Sequence, residues 1–246
     1  MTSSASQAFS SRGRLTGRIA VITGASRGIG AAVARRFAAE GAHVVLLART
    51  VGGLEAVDDA IRAAGGEATL VPQDLQDLAS LDHLGPTLFE RLGRVDILVG
   101  NAGHLGQLGP VAHTDPREWQ KIFTINVLAN QRLLLSLDPL LRASDAGRAV
   151  FVTAGAARGP FAYWGAYAAS KAALEMMVLT YAAEVSKTAL KVNLLDPGVV
   201  RTVMRAAAFP GEDASRLPAP ETISDAFVDL AAPDCPHHGQ IIRAQA

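Results

Sequence analysis

Ile19-Ala20-Val21-Ile22-Thr23-Gly24-Ala25-Ser26-Arg27-Gly28-Ile29-Gly30 runs from a short apolar stretch into a glycine-rich turn. Small residues with helical spacing follow, from Ala31 to Glu40. The run Ile19 to Thr23 has the composition of a buried strand, so the segment reads as strand, tight turn and helix. Glycines in such a turn let the backbone come close to a pyrophosphate. The helix start adds free N–H groups and the positive end of the helix dipole. A glycine-rich loop alone is weak evidence, but this one has the strand–turn–helix context that the motif requires. Its spacing is Gly-x3-Gly-x-Gly rather than the commoner Gly-x-Gly-x2-Gly.

The same rhythm continues outward. His43 to Leu47, Ala68 to Pro72, Val95 to Val99, Arg148 to Thr153, Leu190 to Leu195 and Gln240 to Arg243 read as further strands. Helices are expected over Leu54 to Ala64, Asp77 to Leu92, about 117–142, about 166–187 and Glu221 to Ala231. At the start of the third of these helices Asp115 can cap, Pro116 suits the first turn, and Glu118 is expected to complete a capping box. Alternation of this kind implies right-handed crossovers and an α/β doubly wound parallel sheet, a Rossmann fold of about seven strands with helices on both faces. Val199 to Pro220 is too long for an ordinary connection and is expected to be a functional lid. No linker or composition break interrupts the chain. The expected organisation is a loose N-terminal arm, residues 1–14, and one dinucleotide-binding and catalytic domain, residues 15–246.

Composition narrows the function classes. Apolar residues make up 49% and charged residues 19% of the 246, which excludes a disordered chain. Acidic and basic side chains number 23 each, so bulk electrostatic capture of nucleic acid or an anionic membrane is disfavoured. One cysteine, Cys235, excludes a disulfide framework and is expected to be an inert buried thiol. His237-His238 lacks a third ligand at useful spacing and is expected to be surface histidine, so no metal is expected. No apolar run approaches the roughly 18 residues of a membrane helix, and the N-terminus lacks the apolar core of a secretory signal. A cytoplasmic enzyme is the expected class.

Further motifs lie at the ends of the expected strands. They are Gly100-Asn101-Ala102-Gly103, a helical Asn126, Tyr167-Ala168-Ala169-Ser170-Lys171, and Pro197-Gly198 followed by Thr202. With Thr23 to Gly30 they occur in one order, and in that order and spacing the chain resembles the short-chain dehydrogenase/reductase family in its single-domain branch, from about residue 16 to the end. The resemblance implies a cofactor held by Gly24, Ser26, Arg27, Gly28, Ile29, Gly30, Asp74, Leu75, Asn101, Ala102, Gly103, Tyr167, Lys171, Pro197, Gly198 and Thr202. It implies that Lys171 also holds the nicotinamide ribose and that Asn126 anchors a water in a proton relay. It further implies pairing of the helices 117–142 and 166–187 across subunits, giving a homodimer or homotetramer.

Cofactor choice is argued from charge. An acid ending the second strand would bind a ribose 2′-OH and repel a 2′-phosphate. Here that strand ends Leu46-Leu47-Ala48-Arg49, and Arg49 with Arg27 offers guanidinium forks to a phosphate. NADP(H) is expected over NAD(H).

Tyr167 and Lys171 are four residues apart and share a helix face. An ammonium beside a phenol favours the phenolate, so Lys171 is expected to lower the Tyr167 pKa toward working pH. Tyr167 then serves as general acid or base for a carbonyl/alcohol pair. The family also has a Ser just after the fifth strand whose hydroxyl binds the substrate oxygen. Here that catalytic position is Ala154, which has no donor. Three accounts fit: an engineered replacement, Thr153 acting instead, or a natural protein of weakened activity. Thr153 points to the opposite face of an extended chain from Ala154. Phe161, Tyr163, Trp164, His104, Leu105 and Gln107 are candidates to line a substrate cleft, and Met204 and Phe209 to cover it. The functional expectation is hydride transfer between NADP(H) and a small-molecule carbonyl/alcohol substrate, with no nucleic-acid or membrane partner. The alternative is a non-catalytic NADP(H)-binding sensor or scaffold.

Overall fold

β-Branched and leucine-rich runs with apolar residues on both faces suit strands covered on both sides, and the inner strands are placed so, while the two edge strands are only partly buried. The computed structural model describes residues 13–245. Among these, seven strands form one parallel sheet: β1 Ile19–Thr23, β2 His43–Ala48, β3 Glu67–Pro72, β4 Ile97–Gly100, β5 Arg148–Val152, β6 Lys191–Asp196 and β7 Ile241–Arg243. Their order is β3-β2-β1-β4-β5-β6-β7, so the chain reverses direction across the sheet between β1 and β4. In open parallel sheets that reversal leaves a crevice at the carboxyl ends of the strands. All the motifs above lie there.

Helices α1 Gly28–Ala39, α2 Val51–Ala63 and a late helix at Ser224–Ala231 cover one face. They enclose a core that includes Ile22, Phe37, Leu46, Leu54, Ile61 and Phe227. The opposite face is covered by α3 Leu78–Asp82, α4 Leu84–Leu92, the long helical stretch α5 Pro116–Phe123 to α6 Ala129–Ala143, and α7 Gly165–Glu184. Its core includes Leu81, Leu88, Leu98, Leu133, Phe151 and Leu174. The connection after β6 carries α8 Val203–Ala208, so the Ser224–Ala231 helix is α9.

Three expectations change. The helix expected over 77–92 is two helices meeting at His83. Pro86 has no N–H to give the Asp82 carbonyl, and the Ser136 hydroxyl donates to that carbonyl instead at 3.1 Å. Asp115 caps α5 by accepting from the Arg117 N–H at 2.8 Å, but Glu118 does not complete a capping box. Its carboxylate meets His104 Nε2 at 2.7 Å. The expected loose arm lies outside the described residues up to position 12, and Arg14 is fastened rather than loose. Its N–H donates to Glu40 Oε2 at 2.7 Å and its guanidinium to Asp229.

Cys235 is buried and free, as expected. His238 is structural rather than a surface residue: its ring accepts from the Val192 N–H and donates to the Ala182 carbonyl. No helix among the described residues is long and apolar enough to cross a membrane.

Candidate active site

The floor of the crevice is the turn between β1 and α1. Gly24 and Gly28 have φ of +67° and +58°, a region side chains disfavour. A Cβ at Gly30 would overlap the Gly24 carbonyl oxygen and stand 2.6 Å from Asn101 Nδ2, so the close turn depends on glycine there. Arg27 precedes α1 in extended conformation and provides no side-chain cap, and the first turn holds no acid. The first N–H groups of a twelve-residue helix are therefore open to an anion. Thr23 braces the turn: its hydroxyl accepts from the N–H of Asn101 and of Ala102, both at 3.0 Å. Asn101 Nδ2 donates to the Thr23 carbonyl at 2.9 Å. Asn101 thus shapes the cradle through the backbone of the turn.

At one edge of the cradle Arg49 is 60% exposed in its side chain, with Nη1 4.0 Å from Asp74 Oδ2. Asp74 closes its own turn by accepting from the Gln76 N–H, and Leu75 beside it is buried. At the other edge Pro197, Gly198 and Thr202 cross toward α1. The Thr202 methyl is 3.6 Å from where a Cβ of Gly28 would stand, and its hydroxyl caps α8. Ser26 lies in the turn itself and Ile29 in the first turn of α1, both half-buried.

Asn126 sits inside a π-helical stretch, Thr124–Leu128, that interrupts the expected continuous helix. Such bulges re-aim side chains and occur often at functional sites. The Asn126 amide is fully buried and saturated. Oδ1 accepts from the His104 N–H at 2.7 Å, and Nδ2 donates to the His104 carbonyl and the Ser170 hydroxyl. It fastens the segment after β4 to α7. Gly103 in that segment lies against Lys171: a Cβ there would be 3.7 Å from Nζ.

α7 brings Tyr167 and Lys171 to the crevice as their spacing predicts, but their electrostatics differ from expectation. Tyr167 is 6% exposed, and burial, then the Asp196 charge, push its hydroxyl up to about 12 rather than down. Burial pushes Lys171 down to about 8, with Glu175 acting the other way. Lys171 Nζ donates to the Val152 carbonyl at 2.7 Å and lies 5.9 Å from the Tyr167 ring centroid. The two desolvation penalties outweigh the attraction that the sequence suggested.

Ala154 follows β5 in extended conformation at the rim of the site. Thr153 does not replace the missing donor. It is 1% exposed and gives its hydroxyl to Glu175 Oε1 at 2.6 Å.

Above the site, the Trp164 ring lies edge-on to Tyr167 at 5.9 Å and 5.8 Å from Phe209. The Arg205 guanidinium covers Phe209 at 3.7 Å and pairs with Glu212 through two hydrogen bonds. The connection after β6 is therefore fastened over Tyr167 by aromatic contacts. Met204 points to Gly103, with its Cε 3.8 Å from a Cβ position there. Phe161 and Tyr163 instead face solvent, and Leu105 is core.

A family model described as short chain dehydrogenase matches residues 18–213. The chain belongs to the short-chain dehydrogenase family. Among its relatives, the uncharacterized oxidoreductase YciK of Escherichia coli K12 is 39% identical over 226 residues, covering 89% of this chain and 88% of its own. A short chain dehydrogenase structure from Salmonella enterica serovar Typhi CT18 superposes with TM-score 0.92 at 36% identity, covering 96% of this chain and 98% of its own. One from Escherichia coli CFT073, complexed with NADPH, has TM-score 0.90 at 36% identity, covering 96% and 99%.

Several residues that shape this short-chain dehydrogenase's site are outside the motifs. Glu175, Asp196 and Arg158 converge behind Thr153, and His104 bonds both Asn126 and Glu118. Glu175 had one sequence signal, its place one helical turn beyond Lys171. Arg158 and Asp196 had none, because their meeting depends on two separate strand ends lying side by side.

Proposed function

We propose that the chain transfers hydride between NADP(H) and a carbonyl/alcohol pair of a small molecule, with Tyr167 as proton donor and acceptor. The observation that carries this reading is the convergence, at one end of the sheet, of Tyr167, Lys171 and Gly103 with an uncapped, acid-free helix start. The donor set suits a dinucleotide: backbone N–H groups of α1 for the pyrophosphate, and Arg27 and Arg49 for a 2′-phosphate. The NADPH-complexed relative supports the same preference. When bound, the nicotinamide supplies or accepts the hydride. Asp74 and Leu75 would hold the adenine end of such a cofactor, and Pro197, Gly198 and Thr202 would hold its other end.

The chain's own residues handle the proton. A phenol held up near 12 keeps its proton at Oη throughout the neutral range, which suits donation to a forming alkoxide. Lys171 below about 8 carries its charge beside the ring and stabilises the phenolate left after donation. Trp164 packs edge-on against the Tyr167 ring, and Phe209 packs on Trp164. Position 154 contributes no donor, so the oxyanion rests on Tyr167 alone. A homodimer or homotetramer is supported by exposed Leu128, Leu135 and Met176 on α6, its π-helical entry and α7.

Tyr167→Phe tests the reading. It keeps the ring and its packing but removes the proton. Turnover of aldehydes and ketones with NADPH is expected to vanish while NADPH affinity changes less than threefold; substantial residual turnover would refute the assignment. Ala154 favours a second reading, a cofactor-binding sensor with little turnover. NADPH binding without oxidation across a broad aldehyde and ketone panel would favour it.

A further inference from the structure

Arg158 lies one turn beyond Ala154, in the short 3-10 segment Gly155–Arg158. Its Nη1 donates to Glu175 Oε1 on α7, the same oxygen that accepts from Thr153. Its Nη2 donates to Asp196 Oδ2 at the end of β6. The other Asp196 oxygen accepts from the Gly198 N–H at 3.1 Å, and Gly198 itself has φ of +68°. The two carboxylates are 10% and 9% exposed, and the Arg158 side chain is 29% exposed. A planar guanidinium holds two acceptors in fixed directions, which a flexible ammonium does not.

We propose that Arg158 is a positioning residue that ties together the turn carrying position 154, the helix carrying Tyr167 and Lys171, and the Pro197–Gly198 loop. Its catalytic consequence rests on the oxidoreductase reading above; the tie itself does not. The groups facing the cluster are Lys171 and Tyr167 from α7, with Glu175, and Asp196 from the end of β6. His104 and Glu118, from the segment after β4 and from α5, are paired with each other at 2.7 Å. Two cations, Arg158 and Lys171, thus balance two carboxylates, Glu175 and Asp196. Removing the Arg158 charge leaves Glu175 and Asp196 against Lys171 alone, one net negative charge, which favours the protonated form of both Lys171 and Tyr167. Removing a carboxylate does the opposite.

The charge signs separate this role from simple packing. The sequence holds four lysines, so 13C-lysine NMR can follow Lys171 through its titration. Arg158→Met is expected to raise the Lys171 midpoint, and Glu175→Gln to lower it, each by about one pH unit. Arg158→Lys restores the charge, so the midpoint returns toward that of the parent. It lacks the fork, so the loop stays loosened. NADPH affinity, read by fluorescence titration, is expected to fall about tenfold in Arg158→Met and to stay low in Arg158→Lys, the effect of losing charge-assisted bonds that hold the loop. An unmoved Lys171 midpoint in Arg158→Met, or shifts of the same sign in Arg158→Met and Glu175→Gln, would overturn the proposal. If Arg158→Met does not fold, Glu175→Gln decides alone: a midpoint that does not fall overturns it. Neither readout needs turnover. Absent carbonyl reduction with opposed shifts sinks the oxidoreductase reading and leaves the tie; normal turnover with unmoved midpoints sinks the tie and leaves the reading.

Discussion

Ala154→Ser is the most informative single substitution in this chain. Position 154 follows β5 in extended conformation and is half-buried at the rim of the crevice, so one added oxygen meets no packed core. The remaining groups are in place: Tyr167 and Lys171 on α7, and Gly103 fixed against them by Asn126. The neighbouring hydroxyl cannot serve, since Thr153 already donates to Glu175 at 2.6 Å from a fully enclosed position. One preorganised donor to a developing oxyanion is worth roughly 2.7–4 kcal/mol, or about 10²–10³ in rate. Ala154→Ser is therefore expected to raise kcat on aldehydes or ketones about 100-fold or more, with NADPH affinity nearly unchanged. The assay is NADPH oxidation followed by absorbance across a carbonyl panel, beside a fluorescence titration of the cofactor. Thr153→Val serves as the control. It is expected to cost about 1–3 kcal/mol of stability, by leaving Glu175 short of a donor, and to spare the rate of the folded protein. No gain in Ala154→Ser together with abolished turnover in Thr153→Val would refute the placement of the missing donor. No turnover in either, with cofactor bound, would refute the oxidoreductase reading.

Arg49→Asp places an acid at the cradle edge and should weaken NADPH at least tenfold relative to NADH; equal losses for both cofactors would remove Arg49 as the 2′-phosphate ligand. Gly30→Ala forces a methyl into the Gly24 carbonyl and the Asn101 amide, and is expected to lower both cofactor affinity and the melting temperature, with retained binding as the contrary result. In the reduction direction the rate should fall as pH rises through about 8, where Lys171 loses its charge, while Tyr167 keeps its proton. A rate that is flat from pH 7 to 9, in the same assay at saturating NADPH, contradicts that assignment. Burial pushes the Asp96 carboxyl up, but Arg94, Ser144 and the Ile19 N–H together hold it below the usual carboxylate range. A depressed carboxylate stabilises above its unfolded pKa and loses that contribution as pH falls through the folded value. Asp96→Asn should thus cost about 2–3 kcal/mol at pH 7, a cost that shrinks as pH falls below the ordinary carboxylate range, as read by urea unfolding.

The sequence alone determined the layout of the fold and the place of the site. Apolar runs covered on both faces, spaced by amphipathic stretches, permit little besides a doubly wound parallel sheet, and all seven strands fall where those runs lie. The glycine turn, the Tyr167–Lys171 pair and the absence of a hydroxyl at position 154 are local facts, fixed by spacing along one element, and could be read without coordinates. What needed the tertiary structure was everything set by two distant segments meeting. Pro86 and Ser136 divide a helix that looks continuous, because the Asp82 carbonyl finds its donor on α6. Glu118 leaves its own helix cap for His104. The Tyr167 hydroxyl rises instead of falling, since desolvation depends on what covers it and the Asp196 charge arrives from another strand. Arg158 finds Glu175 and Asp196 only because β5 and β6 end side by side above α7. Spacing encodes which residues share a face; burial and cross-element charge, which set acidity and rigidity, exist only once the sheet has closed over them.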